Sequence, residues 1–232
     1  MADRLPVQFR KSGDAIASYD FVEFSSGRGY IKFLGGVTRG SQMSGATGVL
    51  SGSVFLSNVA IASEPSYQRV RHSINAAAKI FHVEFDAEFL KPVIVDGLAY
   101  VTQPVLMRNA GALQTLSSYM NATIKKVSDG VITTLGTKSG AILSLAVANA
   151  TNVEHTFNNE IDLPRTKFKI GDKLRVATEL YNWSDLGNAH IVLFAHDPMN
   201  RTYDDSLGGD STETWTKEST NMVAMIPFIT DI

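Results

Sequence analysis

The chain has 232 residues, no cysteine and a formal net charge of −2, and only 19% of its residues are charged. Without cysteine, disulfides, thiolate zinc sites and iron–sulfur clusters are excluded, and the slightly acidic balance argues against nonspecific nucleic-acid binding, which needs a basic surface. The length suits one large all-β domain. A mostly neutral, polar surface is common in β-rich proteins whose outsides pack against other copies.

The first residues predict an extended arm. Residues 1–17 show no clean hydrophobic period, and Pro6 and Gly13 disfavour a helix. The amino terminus lacks the apolar run of a signal peptide, and no stretch is long and apolar enough to cross a membrane. We therefore expect synthesis in the cytoplasm, an N-terminal arm over 1–17 and a single domain over 18–232. Such arms are either frayed or laid across a neighbouring molecule.

Two short β-like segments follow the arm. Residues 18–24 and 30–34 alternate in polarity and predict a hairpin. In the glycine-rich stretch after them, Gly40 and Gly45 have the spacing of a phosphate-binding loop, but Ala46 stands where that loop needs lysine. We interpret this stretch as a flexible connection.

The clearest strand of the sequence covers residues 81–89. Three phenylalanines, Val83 and Ala87 alternate strictly with His82, Glu84, Asp86 and Glu88, and this period of two gives a strand one apolar and one polar face. Burying three phenylalanine rings and a valine contributes on the order of 8 kcal/mol, which a one-residue slip in register would lose. An antiparallel sheet with one solvated face is the expected setting.

The neighbouring segments are less regular. Residues 62–75 predict a loop or short helix, and Pro104 predicts the edge or end of a strand. Residues 106–120 predict a loop running into a strand. Asp129 and Gly130 lie between two β-rich segments and predict a tight hairpin turn, because both residues tolerate positive φ.

The last third adds several strands. Residues 141–148 are almost wholly apolar and predict a central strand covered on both faces. Gly171 and Asp172 predict a tight turn, residues 190–196 and 221–229 predict strands, and residues 198–209 predict a polar loop. About ten strands without a helix indicate an all-β fold, an antiparallel β-sandwich with jelly-roll or Greek-key wiring.

Two sets of side chains could bind a metal ion. His190 and His196 share one face of a strand, but their Cα atoms would lie about 20 Å apart at the rise of a strand, too far to share an ion. Asp204, Asp205 and Asp210 could hold calcium, although the ligand spacing of a calcium loop is missing and a solvated acidic loop is favoured. We expect no bound metal or cofactor, and leave an ion in this loop as an open alternative.

Catalytic patterns are weak throughout. Glu84 and Asp86 could act as a glycosidase-like pair only in a cleft, and solubilising charge on the polar face is the favoured interpretation. No serine has glycines two positions before and after it. We therefore expect a protein that is not an enzyme. Trp183, Trp215 and Tyr203 could stack on a sugar if they gather at one rim, whereas such residues more often anchor packing.

One stretch resembles a known class of proteins. Residues 163–176, which read Leu-Pro-Arg-Thr-Lys-Phe-Lys-Ile-Gly-Asp-Lys-Leu-Arg-Val, and residues 225–229, which read Met-Ile-Pro-Phe-Ile, resemble the closing strands of jelly-roll virion proteins of tailed bacteriophages. The resemblance implies a capsid decoration (cement) protein or another virion component that works as an oligomer, often a trimer. It transfers no functional residue, because such families are defined by surface and shape.

This resemblance leads to a specific hypothesis. The chain would stabilise a virion through contacts with itself and with major capsid or other virion proteins, using no nucleic acid and no membrane. The arm residues Arg4, Phe9, Arg10 and Lys11 are the candidate partner contacts. The alternative is a carbohydrate- or receptor-binding module of a virion, with Trp183, Tyr203 and Trp215 as its stacking platform.

Overall fold

In a computed structural model of the chain, the described residues are 21–24, 28–37, 54–58, 67–195, 201–204, 214–217 and 222–229. They form an all-β fold of fifteen strands with no helix, more strands than the ten or so predicted. The strands are β1 (Phe21–Phe24), β2 (Arg28–Val37), β3 (Val54–Ser57), β4 (Tyr67–His72), β5 (Ala78–Glu88), β6 (Val93–Asn109), β7 (Gln114–Ser128), β8 (Val131–Ser139), β9 (Leu143–Val147), β10 (Asn152–Phe168), β11 (Lys173–Ser184), β12 (His190–Ala195), β13 (Arg201–Asp204), β14 (Thr214–Lys217) and β15 (Val223–Ile229).

The strands build the predicted antiparallel β-sandwich. One half is centred on β6, which pairs with β10 on one edge and with β12 and β15 on the other. The second half is centred on β11, which lies between β5 and β7. The halves are joined through β15, β2 and β3, and a single parallel bridge between Phe55 and Asp86 links β3 to β5. Most neighbouring strands are far apart in sequence, which is the long-range wiring that the sequence predicts.

One continuous hydrophobic core lies between the two halves. From β5 it takes Phe81, Val83 and Phe85, the inward set that the alternation of residues 81–89 predicts. Across the core, Asn159 of β10 donates its side-chain N–H to the backbone oxygen of Met120 at 3.0 Å. Strands β8 and β10 approach closely near this bond. A Cβ atom added at Gly136 would lie 2.5 Å from the side chain of Ile161.

The hairpin between β7 and β8 has the predicted turn. Asp129 and Gly130 adopt φ angles of 49° and 79°, as a two-residue turn of the type favoured by Asp-Gly requires. Gly171 has a φ of 85° in the predicted turn between β10 and β11. Both local turn predictions are therefore confirmed.

Pro104 lies in the middle of β6, so its prediction as a strand edge or end is wrong. It pairs with Thr156 of β10 on one edge. On the other edge, the ladder of β15 stops at Thr102 and that of β12 starts at Val105. The proline occupies the gap between these two partners, and a gap in a ladder tolerates a residue that has no N–H.

Three other segments differ from their predictions. Residues 62–75, predicted as a loop or short helix, include strand β4. The predicted central strand at 141–148 is β9, a half-exposed strand whose partner among the described strands is β7. The predicted polar loop at 198–209 includes β13, which pairs with β14. The partner of β4 is β12, more than 100 residues further along the chain, whereas β9 and β13 pair with strands nearer in sequence; local composition does not reveal any of these pairings.

The predicted arm over residues 1–17, with Arg4, Phe9, Arg10 and Lys11, lies outside the described residues. Its contacts and the single-domain division over 18–232 stay predictions. Among the described residues, no helix has the length and apolar character that crossing a membrane requires.

Candidate functional site

The solvent-facing side of β5, β11 and β7 is the most distinctive surface of the described residues, and we call it the open face. Directly opposite residues in an antiparallel pair share a face, so the register places matching side chains in rows. Asp86, Arg175 and Lys125 form one row. His82, Glu179 and Asn121 form a second, and Tyr181 with Tyr119 a third.

Ion pairs line the open face. Arg175 binds Asp86 through Nε and Nη2, at 2.6 and 2.7 Å from the two carboxylate oxygens, and binds Glu84 through Nη1 at 2.8 Å. Glu84 also accepts a hydrogen bond from Lys125 at 2.7 Å. The two-pronged geometry fixes the guanidinium in place, since arginine matches a carboxylate with two parallel bonds.

The chain of pairs continues towards the other end of the face. Glu179 accepts a hydrogen bond from the Nζ of Lys79 at 3.0 Å, and its carboxylate also lies 3.0 Å from the Nδ1 of His82. The Nε2 of His82 is 3.6 Å from Glu84, so this imidazole lies between two carboxylates. Three acids and three permanent cations therefore neutralise one another on a half-buried surface.

These contacts hold the carboxylates of Glu84 and Glu179 in their charged forms. Burial alone would raise the pKa of Glu84, but the hydrogen bond from Lys125 and the charge of Arg175 outweigh it, and the net pKa is lowered. For Glu179, burial is likewise outweighed by Lys79 and His82. A general acid needs a pKa raised towards the working pH. The pair predicted as a possible catalytic dyad, Glu84 and Asp86, is instead arranged for ion pairing.

An aromatic cluster stands at the far end of the open face. The rings of Tyr119 and Tyr181 stack in parallel, with centroids 4.6 Å apart and 5° between their planes. Trp183 meets Tyr119 edge-on at 6.2 Å. Hydroxyl groups border the cluster, since the Oγ atoms of Ser117 and Ser144 lie 2.9 Å apart beside it.

The predicted stacking platform is only partly described. Tyr203 is directly opposite Trp215 in the β13–β14 pair, and the side chains of both lie outside the described part of the structure. Trp183 is described, and its ring contacts that of Tyr119, which in turn stacks on Tyr181. Period-two patterning places these two tyrosines on strands, but the sequence does not give the register that brings their rings together.

A buried polar cluster lies between β4, β11 and β12. His190 pairs with His72 across the strands, with ring centroids 4.0 Å apart. The Nε2 of His190 lies 2.6 Å from the side-chain oxygen of Asn182, whose N–H donates to the backbone oxygen of Ser117 at 3.1 Å. Burial, with the neighbouring His190, lowers the pKa of His72 to about 4, and burial also lowers that of His190. The predicted companion of His190, His196, lies outside the described residues.

Metal binding has little geometric support where the structure is described. No group of three or more His, Asp or Glu side chains there could hold an ion. The acidic loop with Asp205 and Asp210 lies outside the described residues, and the side chain of Asp204 does too. An ion in that loop remains an alternative.

Comparison with known proteins gives only distant similarities. No protein-family model matches the chain, and no curated protein matches it. A CocE/NonD family hydrolase from Staphylococcus aureus is similar at 12% identity and a TM-score of 0.46, over 88% of this chain and 37% of that one. An aminopeptidase from a Thaumarchaeota archaeon of marine sediment gives 8% identity and the same TM-score, over 88% and 37%.

A viral structure is more distant still. A chain of infectious bursal disease virus, Gx strain, is 13% identical with a TM-score of 0.23, over 81% of this chain and 44% of that one. The chain thus spans less than half the length of each of these proteins. None of the three similarities assigns it an activity.

Proposed function

We propose that the chain is a structural component of a tailed-phage virion, a capsid decoration (cement) protein or a related surface protein. It acts as a homo-oligomer, as a trimer in the simplest case, and binds major capsid or other virion proteins without catalysis and without a cofactor. Its place is the virion, after synthesis in the host cytoplasm. The observation that carries the proposal is the open face, whose charges are satisfied internally.

A self-neutralised face suits extended contact between proteins. Charges that are already paired carry little net field, and paired groups lose less on desolvation than isolated ones do. Asp86, Glu84 and Glu179 are each bound by a cation of the same face. A repeated shell then gains affinity from many modest contacts instead of one strong site.

The segments that resemble phage virion proteins occupy central positions. Residues 163–176 close β10, turn and begin β11, and residues 225–229 belong to β15, between β6 and β2. These strands hold the two halves of the sandwich together. The arm with Arg4, Phe9, Arg10 and Lys11 is proposed to reach a neighbouring subunit.

Capsid binding tests this proposal directly. Purified chain is mixed with expanded capsids that lack decoration, and bound protein is measured by co-sedimentation and located by electron microscopy. We expect saturable binding at symmetric positions, and reduced occupancy for a chain without residues 1–17. A matched control, Ile142→Asp, changes an exposed residue outside the arm and should bind normally. A chain that stays monomeric at high concentration and never binds capsids would contradict the proposal.

A second function is favoured by the aromatic cluster. We propose, as the alternative, a carbohydrate- or receptor-binding module in which Tyr119, Tyr181 and Trp183 present rings to a sugar, beside the Ser117 and Ser144 hydroxyls. Aromatic faces with nearby hydrogen-bonding groups suit a ligand that has both apolar and hydroxyl surfaces. Glycan-array binding should be lost in Trp183→Ala and kept in Tyr100→Ala, a control on β6. Equal binding by both variants would exclude this site.

A further inference from the structure

Strands β4 and β12 form a two-stranded ribbon at one end of the strand order, which we call the edge ribbon. Strand β4 pairs with β12 alone among the described strands, and β12 pairs with β6 through residues 190–194. The same part of β6 pairs with β10 on its other side. The edge ribbon can therefore leave the sandwich without breaking any other strand pairing of the described residues.

The contacts at the ends of the edge ribbon are neutral. Ser184 N donates to Ile74 O, just after β4, at 2.9 Å, and Ala110 N donates to Ala189 O, just before β12, at 3.1 Å. Val192 of β12 is fully buried and packs into the hydrophobic core. None of these groups titrates between neutral and acid pH. A response of the edge ribbon to acid must therefore come from its histidines.

The strand register places His72, His190 and Asn109 in one row across β4, β12 and β6. The two imidazole rings lie 4.0 Å apart between their centroids. Both ring nitrogens of His72 are shielded from solvent, and neither has a hydrogen-bond partner in the described part of the structure. A protonated imidazole has two N–H donors and a positive charge. Protonation of His72 therefore adds an N–H group for which the closed ribbon offers no acceptor.

The described elements around His72 offer no counterion. Apart from His190, the polar neighbours in the row and across the core are the neutral amides of Asn109 and Asn182. The charged residues closest in sequence or register are Arg71, Arg108 and Asp185. Both arginines pair with Ile191, one position out of the row, and the carboxylate of Asp185 accepts a hydrogen bond from Thr115 N at 2.9 Å. A charge on His72 has no opposite charge to pair with among these groups.

These surroundings oppose protonation while the edge ribbon is closed. Burial and the neighbouring His190 lower the pKa of His72 to about 4, and the opposite effect of Asn182 is smaller. In an opened ribbon the ring meets water, and its pKa returns towards about 6.5. The opened ribbon thus binds more protons between these values. The closed ribbon is fully favoured above about pH 6.5, and this preference falls as the pH drops to 4.

We propose that His72 makes the edge ribbon sensitive to acid: when its ring binds a proton, the ribbon separates from β6 and the rest of the sandwich stays folded. The opened state keeps residues 105–109 of β6 paired with β10 on one side and leaves them unpaired on the other. Acid thus uncovers a strand edge, which is a template for pairing with another extended segment. This inference does not depend on the proposed function.

Hydrogen–deuterium exchange of the purified chain at pH 7, 5.5 and 4 tests this proposal, with each rate expressed as protection relative to the unfolded chain. Protection of residues 67–72 and 190–195 should fall about 100-fold between pH 7 and pH 4, while that of β11 is kept. His72→Phe should remove most of this fall, because its ring cannot bind a proton and still fills the place beside His190. His72→Leu is the second variant, should the first fail to fold by circular dichroism.

His155→Phe is the matched control. His155 is another half-buried histidine whose pKa is lowered by burial, but it lies on β10, outside the edge ribbon. The ribbon of this variant should respond to acid as in the wild type. An equal loss of protection in β11 and in the ribbon would mean that acid unfolds the sandwich as a unit, which overturns the proposal. Ribbon protection that does not change with pH, or an unchanged fall in His72→Phe, overturns it as well.

Discussion

The turns at the two ends of the sandwich are joined with different chemistry. The tip end has the turns at residues 89–92, 129–130 and 169–172, and the base end has those at residues 110–113, 148–151 and 185–189. At the tip end the turns are joined by one buried carboxylate, Asp172, which accepts hydrogen bonds from Ser128 and from the backbone N–H of Lys169 and pairs with Lys126. At the base end the central joint is a neutral amide, although the carboxylate of Asp185 also accepts a hydrogen bond from Thr115 N at 2.9 Å. Fully buried Asn109 donates to the backbone oxygens of Ala112 and Val147, each at 2.7 Å.

The comparison shows how charge placement sets the response to acid. Amides do not titrate between neutral and acid pH, so the base end depends on pH through its histidines and through Asp185, whose pKa is lowered by the backbone hydrogen bond from Thr115. The tip end depends on a carboxylate whose pKa is lowered to about 2, by the hydrogen bonds from Lys169, Ser128 and Lys126. The histidines of the base end should therefore lose their contribution at a higher pH than Asp172 does.

The largest expected effect is at the amide joint. Asn109→Ala removes the two donated bonds and the two that its oxygen accepts, from Gly111 N at 2.9 Å and Gln114 Nε2 at 2.7 Å. Leaving buried partners unsatisfied should lower the free energy of unfolding by about 3 kcal/mol or more. Urea denaturation measures it, with Asn158→Ala, an exposed asparagine of β10, as a control near zero. A loss below about 1 kcal/mol would mean that the hydrogen bonds of the Asn109 side chain do not hold the base end together.

A smaller effect concerns the histidines of the base end. The pKa of His72 is about 4 in the folded chain and about 6.5 when unfolded. The unfolded state binds more protons between these values, so stability is full above about pH 6.5 and falls as the pH drops to 4. His72→Phe should abolish about 2 kcal/mol of that fall. Denaturation curves at pH 7, 5.5 and 4 measure it, and identical pH dependence in the variant would contradict the assignment.

The tip end should lose stability at lower pH. Because the pKa of Asp172 is lowered from 3.8 to about 2, its contribution is complete above about pH 4 and is lost as the pH falls through 2. Asp172→Asn should cost about 1 kcal/mol at pH 6, after allowance for solvent screening, and the cost should disappear near pH 2. Wild type and variant are compared by thermal unfolding across this range. A cost independent of pH would mean that the charge of Asp172 is not what joins the turns.

The smallest effect is expected on the open face, between the two ends. Arg175→Met keeps the apolar stem and removes the bonds to Asp86 and Glu84, and should cost about 0.5 to 1 kcal/mol at low ionic strength and less at high salt. Urea denaturation at two salt concentrations measures the cost, with Lys138→Met on β8 as control. A cost unchanged by salt would indicate lost packing instead of lost charge.

Local patterns could predict the elements but not their partners. The alternation at Phe81, Val83 and Phe85 and the Asp129–Gly130 turn are set by nearest neighbours in sequence, and both predictions are confirmed. Strand β9 and Pro104 depend on which strand lies alongside, and both were predicted wrongly for that reason. Two contacts depend on the register between strands more than 60 residues apart: the stacking of Tyr119 on Tyr181 and the contact of His72 with His190. Amino-acid composition does not give this register.

The position of β15 has a consequence for synthesis. This strand fills the place between β6 and β2, and all of its partners precede it in the chain. A nascent chain that has left the ribosome as far as β12 therefore carries a vacant slot with two unsatisfied strand edges. Such edges recruit other chains, so the emergence of β15 closes two edges at which the polypeptide is prone to aggregate.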